Sequence, residues 1–238
     1  MSPRGIVIAL CNESTYAVAP WAWTGYTVYM VDPLHPVGTH PHPTLPNTWT
    51  IGAIIEDCLS VLGDLIRTNM VRMVIAFPPC TELAASGAKH WKTKYEKDRY
   101  FQAKAAIVVE QCRMIGALSG AAWCYENPNG AASSIFGKPQ LRFDPRDYGG
   151  YLPEDDTHPD YPEYLPPRDA YTKATNIWCG NGFELPEPKP VKGLDHYPGW
   201  EKLGGKSEKT KRIRSASPRG FFQAVFEANH AKLMEIAA

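Results

Sequence analysis

The chain has 238 residues, with 25 Lys and Arg against 25 Asp and Glu and a formal net charge of +0. That length fits one large domain or two small ones, and 44% hydrophobic with 21% charged residues excludes wholesale disorder. No window holds the roughly 18 consecutive apolar residues of a membrane span, and a neutral chain meets nucleic acid only through a local basic patch.

In chain order, Arg4 to Leu10 reads as a short buried strand, apolar and β-branched. Ser14 to Trp23 has the length of a short crossover helix. Tyr26 to Val31 is a second strand, stopped at Asp32-Pro33. Pro33 to Asn47, with five prolines and three histidines, reads as a loop. A third strand fits Thr50 to Ile55, then a helix over Asp57 to Arg67. A fourth strand, Val71 to Phe77, halts at Pro78-Pro79. Tyr95 to Leu118 reads as one helix, with Phe101, Ala105, Val108, Cys112, Ile115 and Ser119 on a single stripe. A fifth strand, Ala121 to Tyr125, is expected to stop at Glu126-Asn127-Pro128.

Strands alternating with helices predict an α/β fold, a mostly parallel sheet with helices on both faces. Ligands then bind outside the carboxyl ends of the strands, where Asp32, Asp57, Cys80 and Glu126 fall. Residues 129–212 are rich in Pro, Gly, Tyr and Trp with little periodicity, and predict an irregular cap within one domain spanning 1–238. Thr172 to Trp178 could add a strand. Glu201 to Arg219 carries seven basic and two acidic residues. A last helix is expected from Ser217-Pro218, a good N-cap and first helical residue, with Phe221, Val225, Ala228 and Leu233 on its apolar face.

The six cysteines, Cys11, Cys58, Cys80, Cys112, Cys124 and Cys179, form no CxxC pair and sit near no His at zinc-finger spacing. This usage predicts reduced thiols, no structural metal and an intracellular chain. The N-terminal apolar run has no small-residue cleavage site, so no secretory signal is expected. His35, His40 and His42 could take a metal, but solvated loop histidines are commoner.

Phe77-Pro-Pro-Cys-Thr81 is the sharpest motif. Two prolines after a buried strand make a rigid turn that aims Cys80, and a thiolate is a strong nucleophile near neutral pH. Taken alone, it reads as readily as a structural Cys after a turn. Glu126 ends a core strand, where burial raises a carboxyl pKa and suits it to share a proton with a ring heteroatom; alone, it reads as a brace for the next loop. As a pair they can face each other across one pocket.

With these two motifs the chain resembles the cytosine-C5 DNA methyltransferases, most closely their small phage and prophage members. The likeness lies in Phe77 to Trp91, Glu126-Asn-Pro-Asn-Gly130, Lys173 to Trp178, and Arg214-Ser-Ala-Ser-Pro-Arg-Gly-Phe221, in the family's order. The resemblance implies a Rossmann-like methyltransferase fold, S-adenosylmethionine as donor, DNA as partner and a location in the host cytoplasm. It implies that Cys80 adds to C6 of an extruded cytosine, Glu126 protonates toward N3, and Lys173 touches the ring carbonyl. It places Asn12, Asp32, Asp57, Pro78 and Ser217 at the cofactor. Ser86, Lys89 and Trp91 would approach the nucleic acid, and Lys209, Lys211, Arg212 and Arg214 its phosphates, as would Lys206. Where the family has a glycine-rich turn, this chain has Cys11-Asn-Glu-Ser-Thr-Tyr16. That departure leaves open side-chain contacts from Asn12, another donor, or a degenerate site. For Asp32 and Asp57, a cap or loop role is equally open, and for the C-terminal cations a solvated surface.

With about thirty residues between Trp178 and the basic run, only a short sequence context can be read. Two competing functions remain: C5 modification of a free pyrimidine nucleotide, and non-catalytic nucleic-acid binding on a methyltransferase-like fold.

Overall fold

The computed structural model describes residues 4–192, 203 and 207–237. The chain divides into two compact units, Met1–Arg142 with Thr175–Phe183, and Phe143–Ala174 with Glu184–Ala238.

The first unit is built on a mixed, mostly parallel sheet. The strands of the sheet are β1 (Ile6–Leu10), β2 (Thr27–Val31), β3 (Gly38–Pro41), β4 (Thr48–Gly52), β5 (Val71–Ala76), β6 (Ala122–Pro128), β7 (Leu141–Phe143, its last residue counted with the second unit) and β8 (Thr175–Gly180). They lie in the order β3-β4-β2-β1-β5-β6-β8-β7. β4, β2, β1, β5 and β6 run parallel, whereas β3 and β8 pair antiparallel to β4 and β6. Numbered among themselves, the five parallel strands follow the order 3-2-1-4-5, which is compatible with a Rossmann-like fold. The helices between them are α1 (Ala19–Trp23), α2 (Leu59–Arg67), α3 (Trp91–Lys97), α4 (Phe101–Ser119) and α5 (Ala132–Phe136).

The buried parallel strands are near-continuous apolar runs, as strands covered on both faces must be. Ile8, Leu10, Val74 and Ala76 pack with Leu62 of α2 and with Val109 and Cys112 of α4. Trp123 and Tyr125 of β6 continue this core as a ladder, Tyr125 stacking on Trp178 of β8 at 5.2 Å. Gly116 lets α4 approach: a Cβ there would sit 2.6 Å from Cγ of Trp123.

Four expectations need correction. The proline-rich stretch from 33 to 47 contains β3, whose residues are all exposed, so no alternation marks it; Pro41 is tolerated on this edge strand. The long helix is broken. Asp98 is extended (φ −147°, ψ 102°), and its carboxylate accepts the Tyr100 N–H at 2.9 Å, ending α3 before α4 begins. The fifth strand does not stop at Glu126: β6 runs on to Pro128 because β8 pairs with its end, Asn127 opposite Asn176 and Pro128 opposite Thr175. The third strand ends at Gly52, and Ile55 opens a 3-10 turn to Cys58.

The second unit has an apolar centre of its own, which the weak periodicity of this region does not announce. Phe143 stacks on Phe221 at 4.1 Å, with Tyr148 edge-on to both. Among the described residues its α-helices are α6 (Glu208–Ser215) and α7 (Arg219–Ala237). At the start of α7, Arg219 grips Asp156 through two hydrogen bonds of 2.8 and 2.6 Å. The Asp169 carboxylate accepts the Gly220 N–H at 2.9 Å. Burial pushes Asp169 up to about 6 against the pull of the Gly220 N–H and Arg219. Burial, with Arg219 second, pushes His158 down to about 4.

Candidate functional site

Sheet order sets where a ligand can enter. Connections leave β1 and β5 in opposite directions along the sheet, so the crevice lies outside their carboxyl ends. The chain after each strand stays tied to its neighbour. Asn12 N–H donates to Val31 O at 3.1 Å, Asp32 N–H to Ile51 O at 3.1 Å, and Phe77 N–H to Leu10 O at 3.0 Å.

Around Cys80 the chain is tightly held. Pro78 is buried, Pro79 exposed and Cys80 half-buried. The N–H groups of Leu83 and Ala84 both donate to Cys80 O, at 3.0 and 2.8 Å, closing the turn. Three further bonds stitch this turn to the end of β6. Asn127 Nδ2 donates to Pro78 O at 3.1 Å. Ala85 N–H donates to Asn129 O and Ala131 N–H to Leu83 O, both at 2.8 Å. Gly130 makes the approach possible, since a Cβ there would fall 1.9 Å from Leu83 O. The segments carrying Cys80 and Glu126 are thus one construction. Both residues are half-buried, and strand alternation sends Glu126 to the face opposite Tyr125 and Asn127.

At the ends of β1 and β2 a polar cluster forms. Cys11 takes φ 51°, the left-handed conformation that a glycine turn would use. Asn12 is only 3% exposed; its carbonyl accepts from His35 Nε2 at 2.9 Å, and its buried Oδ1 has no partner among the described residues. Asp32 Oδ1 accepts the Leu34 N–H at 2.9 Å. Burial raises the Asp32 carboxyl, with Leu34 N–H and His35 opposing and Glu13 adding to the rise. Asn12 and Asp32 therefore come together, with His35, read from sequence only as a possible metal ligand, and Glu13, which its sequence position did not single out. Asp57 is not among these contacts; it stands exposed in the 3-10 turn. The histidines are spread over separate backbone groups, His40 Nε2 on Val37 O and His42 Nδ1 accepting from Leu45 N–H. Among the described residues no metal-like cluster of His, Cys, Asp or Glu gathers.

Directly after the Cys80 turn lies a surface only partly legible beforehand. A 3-10 turn (Ala85–His90) and α3 bury no residue. They carry the expected Ser86 and Lys89, both exposed, and Trp91, half-buried. Between Lys89 and Lys104 stand six basic and two acidic side chains. Lys94 pairs with Glu82 at 2.6 Å and Lys104 with Asp98 at 2.7 Å, which pins this surface to the Cys80 segment and to the start of α4. Lys92, Lys97 and Arg99 are exposed. Among them Tyr95 and Tyr100 are 51% and 66% exposed, and the Arg99 guanidinium lies 5.9 Å from the Tyr95 ring centre. A cavity of about 380 Å³ opens between Pro79, Thr81, Glu82, Asp98, Phe101 and Lys104.

Lys173, Ser217 and the C-terminal cations belong to the second unit. Lys173 Nζ donates to Ala216 O at 3.4 Å, and its N–H donates to Asp144 Oδ1 at 2.8 Å. Ser217 is buried. In α6, Lys209 lies 5.1 Å above the Tyr164 ring, Lys211 pairs with Glu208, and Arg214 donates to Leu203 O at 2.8 Å. Three cations expected to meet phosphates thus have contacts within their own unit, and Arg212 is exposed. Lys206 lies outside the described residues.

No protein-family model matches the chain, and no curated protein sequence matches it. Among the described residues no helix is long and apolar enough to cross a membrane.

Proposed function

We propose that the chain transfers a methyl group to C5 of cytosine in DNA, through a covalent bond between Cys80 and C6. The observation that carries this reading is the stitching of the Cys80 turn to the end of β6, which keeps nucleophile and carboxyl segments together at the carboxyl ends of adjacent parallel strands. Cys80 thiolate adds to C6 while Glu126 delivers a proton toward N3, leaving C5 electron-rich. After C5 is methylated, loss of its proton expels the Cys80 thiolate. A half-buried Glu126 on a core strand suits the proton-sharing role.

S-adenosylmethionine, when bound, supplies the methyl group. Asn12, with its unpartnered buried Oδ1, and Asp32, with its half-buried carboxylate, are the residues that would hold it. The left-handed Cys11 supports the fit, because the backbone takes the glycine-like turn without a glycine. The basic and aromatic surface from Lys89 to Lys104 suits a phosphate backbone with bases stacked beside it.

The deciding experiment offers an oligonucleotide containing 5-fluorocytosine together with the donor. Wild type is expected to form a stable adduct, and Cys80→Ser none; an adduct with Cys80→Ser, or none with wild type while donor is bound, refutes the reading. A second reading, a free pyrimidine nucleotide as substrate, draws on the contacts that Lys209, Lys211 and Arg214 already make. It predicts oligonucleotide binding with no salt slope.

A further inference from the structure

Two cysteines outside the proposed chemistry stand directly across from each other, Cys124 on β6 and Cys179 on β8. Backbone hydrogen bonds define the kind of pairing. Ile177 O accepts from Gln140 N–H, and Cys179 N–H donates to Gln140 Oε1 at 3.0 Å. The polar backbone groups of Ile177 and Cys179 therefore point away from β6. Cys124 and Cys179 are consequently a non-hydrogen-bonded antiparallel pair, whose Cα atoms lie about 4.5 Å apart and whose side chains approach most closely. A disulfide spans Cα separations of roughly 4.4–6.8 Å. Both side chains leave the sheet on the face opposite the Tyr125–Trp178 stack, the face that also bears Glu126.

We infer that Cys124 and Cys179 are a redox couple, converted by a hydroperoxide to a cross-strand disulfide that joins β6 to β8 and restored by a dithiol. Cys179, the half-buried member, meets the oxidant first. Its sulfur attacks a peroxide oxygen, the O–O bond breaks, and a sulfenic acid forms with release of water or alcohol. The Cys124 sulfur then displaces hydroxide from that sulfur, which leaves as water. Two thiols lose two electrons and two protons to one peroxide. Burial pushes the Cys179 thiol up to about 11, and burial with the neighbouring Cys179 also raises Cys124 above the usual thiol range, so oxidation is slow at neutral pH and quickens about tenfold per pH unit below 11.

The test treats the full chain and its Cys80→Ser variant with hydrogen peroxide at alkaline pH, blocks remaining thiols, and maps the unreduced peptides by mass spectrometry. Expected is a Cys124–Cys179 crosslink in both proteins, two hydrogens lighter than the free peptides, lost on dithiothreitol treatment and absent from Cys179→Ser. Recovery of Cys124 as a blocked thiol after Cys80 is fully oxidised overturns the inference, as does its capture by a different cysteine. The wild-type and Cys80→Ser maps decide the matter even where Cys179→Ser fails to fold.

Discussion

Asn127→Ala tests the stitching directly. Asn127 is fully buried, and its Nδ2 is the donor to the Pro78 carbonyl, two residues before Cys80. Removing the donor leaves a buried carbonyl without that partner, which costs about 1–3 kcal/mol. For a chain of this size each kcal/mol lowers the melting temperature by about 2–4 °C, so the loss is about 2–12 °C. The site consequence is separate. With Pro78 released, the Cys80 turn keeps its Leu83 and Ala84 bonds but gives up one of three ties to β6, and adduct formation with 5-fluorocytosine is expected to fall about tenfold or more, because small misplacements of a reacting group are costly. The control is Asn229→Ala in the second unit, which removes a buried side chain bonded to Glu184 N–H, Glu184 O and Val225 O. It destabilises at least as much without touching the Cys80 turn. Adduct rates measured well below both melting temperatures should separate the two variants. An unchanged melt for Asn127→Ala, or equal adduct rates in both, would refute the reasoning.

Cys11 sits at φ 51°, a conformation costing a non-glycine residue roughly 1–2 kcal/mol, so Cys11→Gly should be more stable than Cys11→Ala by about that amount in urea titration. Asp169 gives a pH signature. Its folded pKa, raised from 3.8 to about 6, means the folded state holds the proton more tightly; its contribution is most favourable below pH 4 and falls as pH rises toward 6, by at most about 3 kcal/mol. The stability difference between wild type and Asp169→Asn should therefore shift against wild type across that window, and a flat difference would contradict the raised pKa. On the basic surface, Lys92→Glu with Lys97→Glu should weaken oligonucleotide binding and flatten its salt dependence, by about one unit of log–log slope for each phosphate no longer neutralised; anisotropy across a salt series checks it.

Much of the sheet was legible because its inner parallel strands are covered on both faces, and such strands must be nearly uninterrupted apolar runs. Ile6–Leu10 and Val71–Ala76 show this directly. What escaped depends on distant partners. The last residues of β6 are Glu126, Asn127 and Pro128, none with strand propensity, and they are extended because β8, about fifty residues later, lies against them. β3 escaped for the opposite reason: an exposed edge strand buries neither face and leaves no periodic trace. The break before α4 has a local signal, Asp98 followed two residues later by the amide it caps; the apolar stripe that marks the helix starts only at Phe101 and says nothing about the residues before it.

The candidate site divides along the same line. Cys80 and Glu126 could be picked out because their side chains carry reactive chemistry, whatever surrounds them. Asn127 and Gly130 stood only as members of the Glu126 to Gly130 block with no part assigned, because their parts are geometric: one supplies a donor to a carbonyl in another strand's exit turn, the other an empty space beside Leu83 O. Neither need shows in local sequence. The absent glycine after β1 is the converse case. Residue type alone argued against a cofactor turn there, yet the backbone of Cys11 adopts the left-handed angle regardless. Packing bears that strain, since Cys11 lies against the core that includes Ile8, Leu10 and Cys112. A turn held by packing rather than by glycine is specified by the whole sheet, so loosening that core should disturb the crevice at β1 and β5 before it unfolds the unit.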